Sequence, residues 1–310
     1  EQAENVGVNI FPGCAAAEVL YDGNGAVRGV ATGDMGISKE GEEKASYTPG
    51  YELLGKYTIF SEGCRGHLAK QLINKFALNA DSGTQHYGIG IKELWTVDPA
   101  KHKPGKVLHS IGWPLSHLPG GATGGSFLYH LPSNQVSLGL IVDLSYKNPH
   151  LSPFDEMQRW KHHPLIAEVL EGGERVSYGA RALSKGGLQA LPKLTVPGAL
   201  IVGDDAGFLN PLKIKGSHTA MKSGMLAAEA VFDEISQGHA QTNATTFQSR
   251  FENSWLYDEL NRARNVGPAL HKLGMLGGSG YAFADQFFAG NQPWTLTDPT
   301  PDYATLKPAA

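Results

Sequence analysis

Residues Ala199–Phe232 read ALIVGDDAGFLNPLKIKGSHTAMKSGMLAAEAVF, and the fold of the chain turns on them. The apolar run Ala199–Val202 stops at Gly203-Asp204-Asp205-Ala206-Gly207. After a Lys-rich loop, a small-residue segment begins near His218 and carries Ala220, Gly224, Ala227, Ala228 and Ala230. That order predicts a strand, a glycine turn and a helix. A carboxylate at the end of a buried strand accepts hydrogen bonds from sugar-type hydroxyls. The helix behind it presents unpaired N–H groups and a positive dipole end to an electron-rich ligand. An ordinary βα connection, with Asp204 and Asp205 as turn formers, accounts for the same spacing, and the residues alone leave the two readings level.

A second unit of this kind lies upstream. Lys56–Phe60 reads as a strand that runs into Ser61-Glu62-Gly63-Cys64-Arg65-Gly66-His67-Leu68 and then a helix near Leu68–Phe76. Before it, Ala17–Tyr21 and Ala26–Thr32 flank Asp22-Gly23-Asn24-Gly25, a hairpin signal because Asp-Gly and Asn-Gly tolerate positive φ. Residues Lys39–Tyr51 are polar and read as a loop. Val6–Phe11 alternates in polarity and reads as the middle of a sheet. With Glu1 in place of a Met, this predicts an internal piece of a longer chain.

From Gln85 to Leu144 the texture changes. His86–Val97, Lys106–Trp113, Ser126–Leu131 and Gln135–Leu144 are rich in aromatic and β-branched residues and predict an antiparallel sheet in a second lobe. Within it, the pairs Gly120-Gly121 and Gly124-Gly125 suit either a close approach of another molecule to the backbone or a flexible hairpin tip. Ser152-Pro153 is an N-cap followed by Pro at the first helical position, opening a helix through Met157 and Trp160. Arg159, Lys161, His162 and His163 read as a solvated basic face, because no acidic or cysteine ligand stands beside them at a metal spacing. Arg175–Leu183 reads as a further strand. Thr246–Arg264 reads as a helix with Phe247, Phe251, Trp255, Leu256 and Leu260 at core spacing. Val266–Gly290 mixes glycines with Leu273, Leu276, Tyr281, Phe283, Phe287 and Phe288. That composition fits either a buried glycine-rich helix pair or a surface that dips into a bilayer interface.

Composition narrows the function. The 310 residues can bury one large core or two moderate ones, and 39 glycines with 18 prolines imply many tight turns. A balance of 26 basic against 30 acidic residues, with no basic stripe, speaks against a nucleic-acid partner. The two cysteines, Cys14 and Cys64, form no disulfide framework or metal cluster by spacing and read as small buried residues. No run of eighteen apolar residues is present, so membrane contact would be monotopic. No nucleophile–base constellation and no metal site is legible.

Together the motifs resemble one family, the electron transfer flavoprotein:ubiquinone oxidoreductases. The resemblance is carried by FPGCAAAEVLYD at Phe11–Asp22, FSEGCRGHLAKQL at Phe60–Leu72, YGIGIKELW at Tyr87–Trp95, GWPL at Gly112–Leu115 and GGSFLYH at Gly124–His130. It continues through QRWKHHP at Gln158–Pro164, YGARAL at Tyr178–Leu183 and KIKGSHTAMKSG at Lys213–Gly224, and so runs nearly end to end.

The fold implied is α/β plus α+β: a partial glutathione-reductase-like FAD-binding domain interleaved with an antiparallel-sheet quinone-binding lobe. It implies FAD-binding segments at 1–84 and 184–240, a quinone lobe at 85–183 and a C-terminal helical, membrane-contacting segment at 241–310. In such proteins Gly203 and Asp204 would face the ribityl or diphosphate of FAD, and Gly216, Ser217, His218 and Thr219 the pyrimidine end of its ring. Glu62, Gly63 and Arg65 would lie near the cofactor, and the backbone of Gly124 and Gly125 would meet ubiquinone.

The activity implied is electron transfer from reduced electron-transfer flavoprotein to ubiquinone at a membrane surface, the bacterial cytoplasmic membrane or the matrix side of the mitochondrial inner membrane. A flavin-dependent hydroxylase or isoprenoid reductase of the same architecture, and a catalytically inert partial lobe, are the alternatives. Two departures stand out. The family's Gly-x-Gly-x-x-Gly after an N-terminal strand is absent, and so are the four cysteines of its [4Fe–4S] cluster. In addition, Thr123 stands where the family often has Tyr, in a loop, Ser116–Thr123, that looks longer than usual.

Overall fold

The computed structural model describes residues 1–117, 121–213 and 215–309. Gly120, one of the paired glycines, and part of the Ser116–Thr123 loop lie outside the described residues. The described chain runs α1 (Gln2–Asn5), β1 (Ala16–Tyr21), β2 (Val27–Thr32), β3 (Met35–Ile37), β4 (Glu43–Thr48), β5 (Glu52–Leu54), β6 (Thr58–Phe60) and α2 (His67–Phe76). It continues with β7 (Tyr87–Thr96), β8 (Val107–Ile111), β9 (Gly124–His130), β10 (Gln135–Asp143), α3 (Pro153–Lys161), α4 (Pro164–Leu170) and β11 (Glu174–Ser184). The last part is β12 (Thr195–Val196), β13 (Ala199–Ile201), α5 (Gly203–Ala206), α6 (Ser217–Ser236), α7 (Thr246–Glu252), α8 (Trp255–Ala263) and α9 (Val266–Asp285).

Two cores organise these elements. The first gathers Val27, Phe60, Leu68, Leu72, Leu200, Ile201, Phe208, Ala227 and Phe247, residues far apart in sequence, around the small sheet β12-β13-β6. The second packs Leu128, Val136, Leu138, Leu140, Met157, Trp160 and Ile166 on one face of the antiparallel sheet β11-β7-β10-β9-β8. Strand β9 alternates strictly between buried and half-buried residues, as a sheet with one covered face demands. The chain leaves the first core after α2, builds the second and returns through β12, so an α/β layer and an antiparallel lobe share one polypeptide.

Local signals act as expected at several points. Asp22 Oδ1 accepts the N–H groups of Asn24 and Ala26 at the β1–β2 turn, where Gly25 takes φ 85°. Ser152 Oγ accepts the Asp155 N–H at the start of α3, with Pro153 at the first helical position.

Four expectations fail. Val6–Phe11 forms no strand: it follows the short helix α1, with Val6 81% and Phe11 56% exposed. The polar Lys39–Tyr51 stretch contains β4, which pairs with β3; its residues are mostly exposed, so no apolar alternation betrays it. Thr246–Arg264 is two helices, broken at Asn253 and Ser254, where the Ser254 hydroxyl donates to the Phe251 carbonyl. Lys161 is not solvated. Its Nζ lies 3.0 Å from Oε1 of the buried Glu93, which Arg175 and the Trp95 indole N–H also approach.

Candidate functional site

Strands β6 and β13 run parallel, Thr58 against Ala199 and Phe60 against Ile201, so the turns that leave them lie side by side. A crevice at the carboxyl ends of neighbouring parallel strands is where open α/β sheets bind ligands. Within the first turn, Gly63 and Arg65 take φ of 85° and 58°. The Glu62 carboxylate folds back and accepts the N–H groups of Leu68 and Ala69 at 2.9 and 2.8 Å, capping α2, whose N-cap Gly66 has no side chain to do so.

Asp205 joins the two turns. Its carboxylate accepts the Glu62 and Gly66 N–H groups, each at 3.1 Å. A Cβ at Gly66 would fall 2.1 Å from that carboxylate, so any larger residue there would have to displace the Asp205 side chain. Burial pushes the Asp205 carboxyl up to about 6, outweighing the two N–H groups that favour its anion.

Asp204 is only half-buried. Its Oδ1 accepts the Ser184 N–H at 3.2 Å and its carbonyl accepts the Ser184 hydroxyl, which ties this turn to the end of β11. Burial raises its pKa, opposed by the Ser184 N–H and by Arg181. The Gly203 N–H donates to Ser223 Oγ at 2.9 Å, drawing the turn onto α6. Arg65 lies over the Tyr87 ring, 5.2 Å from its centroid. A cavity of about 550 Å³ adjoins this junction, lined by Arg65, Gly66, Tyr87, Ser184 and Asp205.

Helix α6 starts at Gly216 with no side-chain cap. Ser217 is exposed on its first turn. The His218 ring is held 2.7 Å from Glu259 Oε1 and stacks 6.0 Å from Trp255. Thr219 is fully buried, its hydroxyl on the carbonyls of Phe208 and Gly216. Glu259 also accepts from Asn210 at 2.9 Å and Lys213 at 3.0 Å. Burial opposes its ionisation, but His218, Asn210 and Lys213 together hold its carboxyl down to about 2.

In the second lobe Gly124 pairs with Val142 across β9 and β10. A Cβ there would fall 2.1 Å from the Ile141 carbonyl oxygen and 2.5 Å from Leu115 Cδ1, and one at Gly125 would fall 3.0 Å from the Ser110 carbonyl oxygen. The sheet itself therefore requires glycine at 124. Thr123 beside it donates to the carboxylate of Asp143, a 3% exposed residue that also holds Lys185. A cavity of about 830 Å³ lies between Gly121–Thr123 and the Leu270–Met275 part of α9.

Sequence reading missed one cluster, whose members are scattered over more than 200 positions with no motif spacing. His86 Nδ1 lies 2.7 Å from Asp302 Oδ1, and its Nε2 faces the carbonyl and carboxylate of Asp298. His271 Nδ1 lies 2.8 Å from Asp298 Oδ2. Burial disfavours charge on His86, but the bond to Asp302 and the two carboxylate charges win, so it titrates above an ordinary imidazole. His86, His271 and Asp298 line a further cavity of about 290 Å³, together with Asp143 and Lys185.

Residues 87–183, the whole five-stranded sheet with α3 and α4, match the family model for the ubiquinone-binding domain of ETF-QO. The chain is 58% identical to the electron transfer flavoprotein-ubiquinone oxidoreductase of Pseudomonas aeruginosa, covering 100% of this chain and 56% of that protein. It is 58% identical to a probable enzyme of the same name from Acinetobacter baylyi, covering 99% of this chain and 56% of that one. Identity to the human mitochondrial protein is 51%, covering 100% of this chain and 51% of its length.

Among solved structures, a geranylgeranyl bacteriochlorophyll reductase-like protein from Thermoplasma acidophilum superposes with a TM-score of 0.66 at 17% identity, over 96% of this chain and 66% of that one. A flavoprotein/dehydrogenase from Cytophaga hutchinsonii gives 0.52 at 14% identity, over 94% and 66%. At such identities these two speak for the fold alone. By its sequence matches the chain is similar along its whole length to the electron transfer flavoprotein-ubiquinone oxidoreductases, of which it spans about half.

Proposed function

We propose that this chain is the quinone-reducing part of a flavoprotein that accepts electrons from reduced electron-transfer flavoprotein and delivers them to ubiquinone at a membrane surface. The observation that carries the reading is the cavity of about 830 Å³ between Gly121–Thr123 and α9. It lies in the lobe that matches the ubiquinone-binding model. It also borders a helix whose Leu273 and Leu276 are 55% and 90% exposed. A ubiquinone entering from lipid would pass that apolar face on its way to Thr123, Gly124 and Gly125. Reduction of a quinone to a quinol takes up two protons, and the buried Asp143–Lys185 pair lies behind Thr123, which lines this cavity and donates to Asp143.

The residues present fit one side of an FAD. Two parallel strand ends open a crevice, and the first turn of the twenty-residue α6 has no side-chain cap, which suits an electron-rich ring. On this reading Gly203 and Asp204 hold the ribityl or diphosphate, and Gly216, Ser217, His218 and Thr219 border the pyrimidine. Glu62, Gly63 and Arg65 act through the turn they shape, since the Glu62 carboxylate is engaged with α2. Bound there, FAD supplies the redox chemistry, and the protein's part is to position it and to favour negative charge near the α6 N-terminus.

The diphosphate cradle would come from a segment outside this chain, as would the ligands of the [4Fe–4S] cluster, since Cys14 and Cys64 are only two. Segments 1–84 and 184–240 then serve FAD, 85–183 ubiquinone and 241–310 the membrane. The same reading gives a monotopic protein of the bacterial cytoplasmic membrane or the mitochondrial inner membrane. No helix among the described residues is long and apolar enough to cross a bilayer.

The test is Met275→Trp in the intact enzyme, which narrows the cavity. The KM for a short-chain ubiquinone should rise about tenfold, equivalent to about 1.4 kcal/mol of lost binding. Reduction of the flavin by electron-transfer flavoprotein, followed by absorbance, should be unchanged. An unaltered KM removes the cavity from the reaction. Bleaching of the flavin by NADPH alone selects the hydroxylase or isoprenoid reductase instead.

A further inference from the structure

The buried cluster of His86, His271, Asp298 and Asp302 contains a contact that neutral side chains do not satisfy. Their side chains are 9%, 13%, 14% and 11% exposed. Because the Asp302 carboxylate can only accept, His86 Nδ1 carries the proton it donates at 2.7 Å. In a neutral ring Nε2 is then a lone pair, and it faces two more acceptors, the Asp298 carbonyl at 3.3 Å and Asp298 Oδ2 at 3.7 Å. Asp298 Oδ1 is held by the Thr300 N–H, which leaves Oδ2 for the two imidazoles. His271 differs: its Nε2 accepts from the Ser145 hydroxyl at 3.4 Å and its Nδ1–H donates to the same Oδ2 at 2.8 Å, so a neutral ring satisfies both contacts. The contact at His86 Nε2 is satisfied by a positive charge there, either a second ring proton or a bound cation.

We propose that the charge is a divalent transition-metal ion of the zinc class, bound by His86 Nε2, His271 Nδ1 and Asp298 Oδ2. One nitrogen or oxygen atom from each of the three residues lies within 4.8 Å of the others. A tetrahedral ion with bonds of about 2.0–2.1 Å needs ligand separations of roughly 3.3 Å, so the widest gap has to close by up to about 1.5 Å while the 2.8 Å contact between His271 and Asp298 opens slightly. Two imidazoles and a carboxylate form a borderline donor set that suits zinc rather than calcium or magnesium. Asp302 on the far nitrogen of His86 is the outer carboxylate that orients a metal-bound imidazole and raises its basicity. The adjoining cavity of about 290 Å³ leaves room for a water as fourth ligand.

The neighbouring charges do not supply the missing cation. Lys185 is engaged with Asp143, and Lys147, Lys272 and Lys307, which line the larger cavity with His271 and Asp298, form no ion pair with Asp298 or Asp302 among the described residues. The ion would join the start of β7, the first half of α9 and the tail at residues 296–302. It would thereby fix the apolar helix against the sheet.

The proposal stands apart from the electron-transfer reading and is tested without any turnover assay. The intact protein, stripped with a chelator, is titrated with Zn²⁺ by calorimetry, and its zinc content is measured after dialysis against metal-free buffer. One zinc per chain above the content of His271→Gln is expected, with at least a hundredfold weaker binding in His271→Gln and in Asp298→Asn. Asp302→Asn should weaken binding by about 10–100-fold. His239→Gln, which removes an exposed histidine paired with Glu234, should leave binding unchanged. Because a variant can lose binding by unfolding, Co²⁺ is added to the wild-type protein, where the intense visible bands of a four-coordinate nitrogen–oxygen site should appear. Equal zinc content in wild type and His271→Gln, or a Co²⁺ spectrum of the hexaaqua type, overturns the proposal and leaves a proton on His86 as the charge.

Discussion

At the level of single residues, Glu259 shows how one carboxylate can organise a stretch that sequence reading assigns to a ligand. Lys213 and His218 come from the Lys-rich loop and the start of α6, and both converge on this residue of α8. Because its folded-state carboxyl is held at about 2 against an ordinary 4.5, ionised Glu259 favours the native state at every pH above 4.5. That contribution is lost as pH falls from about 4.5 to about 2. The full shift corresponds to roughly 3 kcal/mol, and the partial exposure of His218 and Lys213 reduces it to about 1–2 kcal/mol. Glu259→Gln should therefore be less stable than wild type by that amount at pH 6 in urea unfolding, and the gap should close in acid. A gap that persists at pH 2 would mean the residue acts through packing instead.

At the level of elements, the glycines of β9 separate structural need from ligand contact. The Gly124 Cα faces the Ile141 carbonyl and Leu115 so closely that a methyl group would wedge β9 from β10. Gly124→Ala should cost about 1–3 kcal/mol by overpacking, visible as a lower melting temperature before any quinone is added. Gly125 has a looser contact, 3.0 Å to the Ser110 carbonyl oxygen, and should tolerate alanine better. A stable Gly124→Ala protein would shift the explanation of this glycine from the sheet to a bound ligand. The α3 helix teaches a related lesson. Its capping was legible from Ser152 and Pro153, but Lys161 turns inward because β7 brings Glu93, 68 residues away, to meet it.

At the level of the whole molecule, one surface stands out. Helix α9 kinks at Gly274, where φ is 70°, and beyond it Leu276, Phe283 and Phe287 are 90%, 72% and 79% exposed. The stretch forms two helical segments that meet where buried Gly278 packs against Leu270, while its outer apolar residues stay exposed. The exposed residues lie near Phe288 and Trp294, whose rings meet edge to face at 5.4 Å. Such a patch fits the interfacial depth of a bilayer. Replacing Leu276 and Phe283 together by glutamate should weaken sedimentation with phospholipid vesicles about tenfold and leave the melting temperature unchanged, because neither side chain is in a core. Equal vesicle binding by the double variant would assign the patch to a protein partner.

The sequence by itself determined the local grammar of this protein. Strand, glycine turn and helix at Ala199–Phe232 and at Lys56–Phe76, the β1–β2 hairpin, the α3 cap and the strands of the second lobe all follow from short-range steric and hydrogen-bonding rules, and the long motifs pointed to the family. Tertiary structure alone decided how those pieces use their side chains. It assigned Glu62 to the end of α2, Asp205 to the joint between the two turns and His218 to Glu259, and it gathered His86, His271, Asp298 and Asp302 into one buried cluster. The reason is that a backbone turn is written in adjacent residues, whereas the partner of a buried charge is chosen by whichever distant element packing brings within about 3 Å. The strand-turn-helix at Ala199–Phe232 was therefore readable at once. Only the parallel pairing of β13 with β6 made it one wall of a crevice.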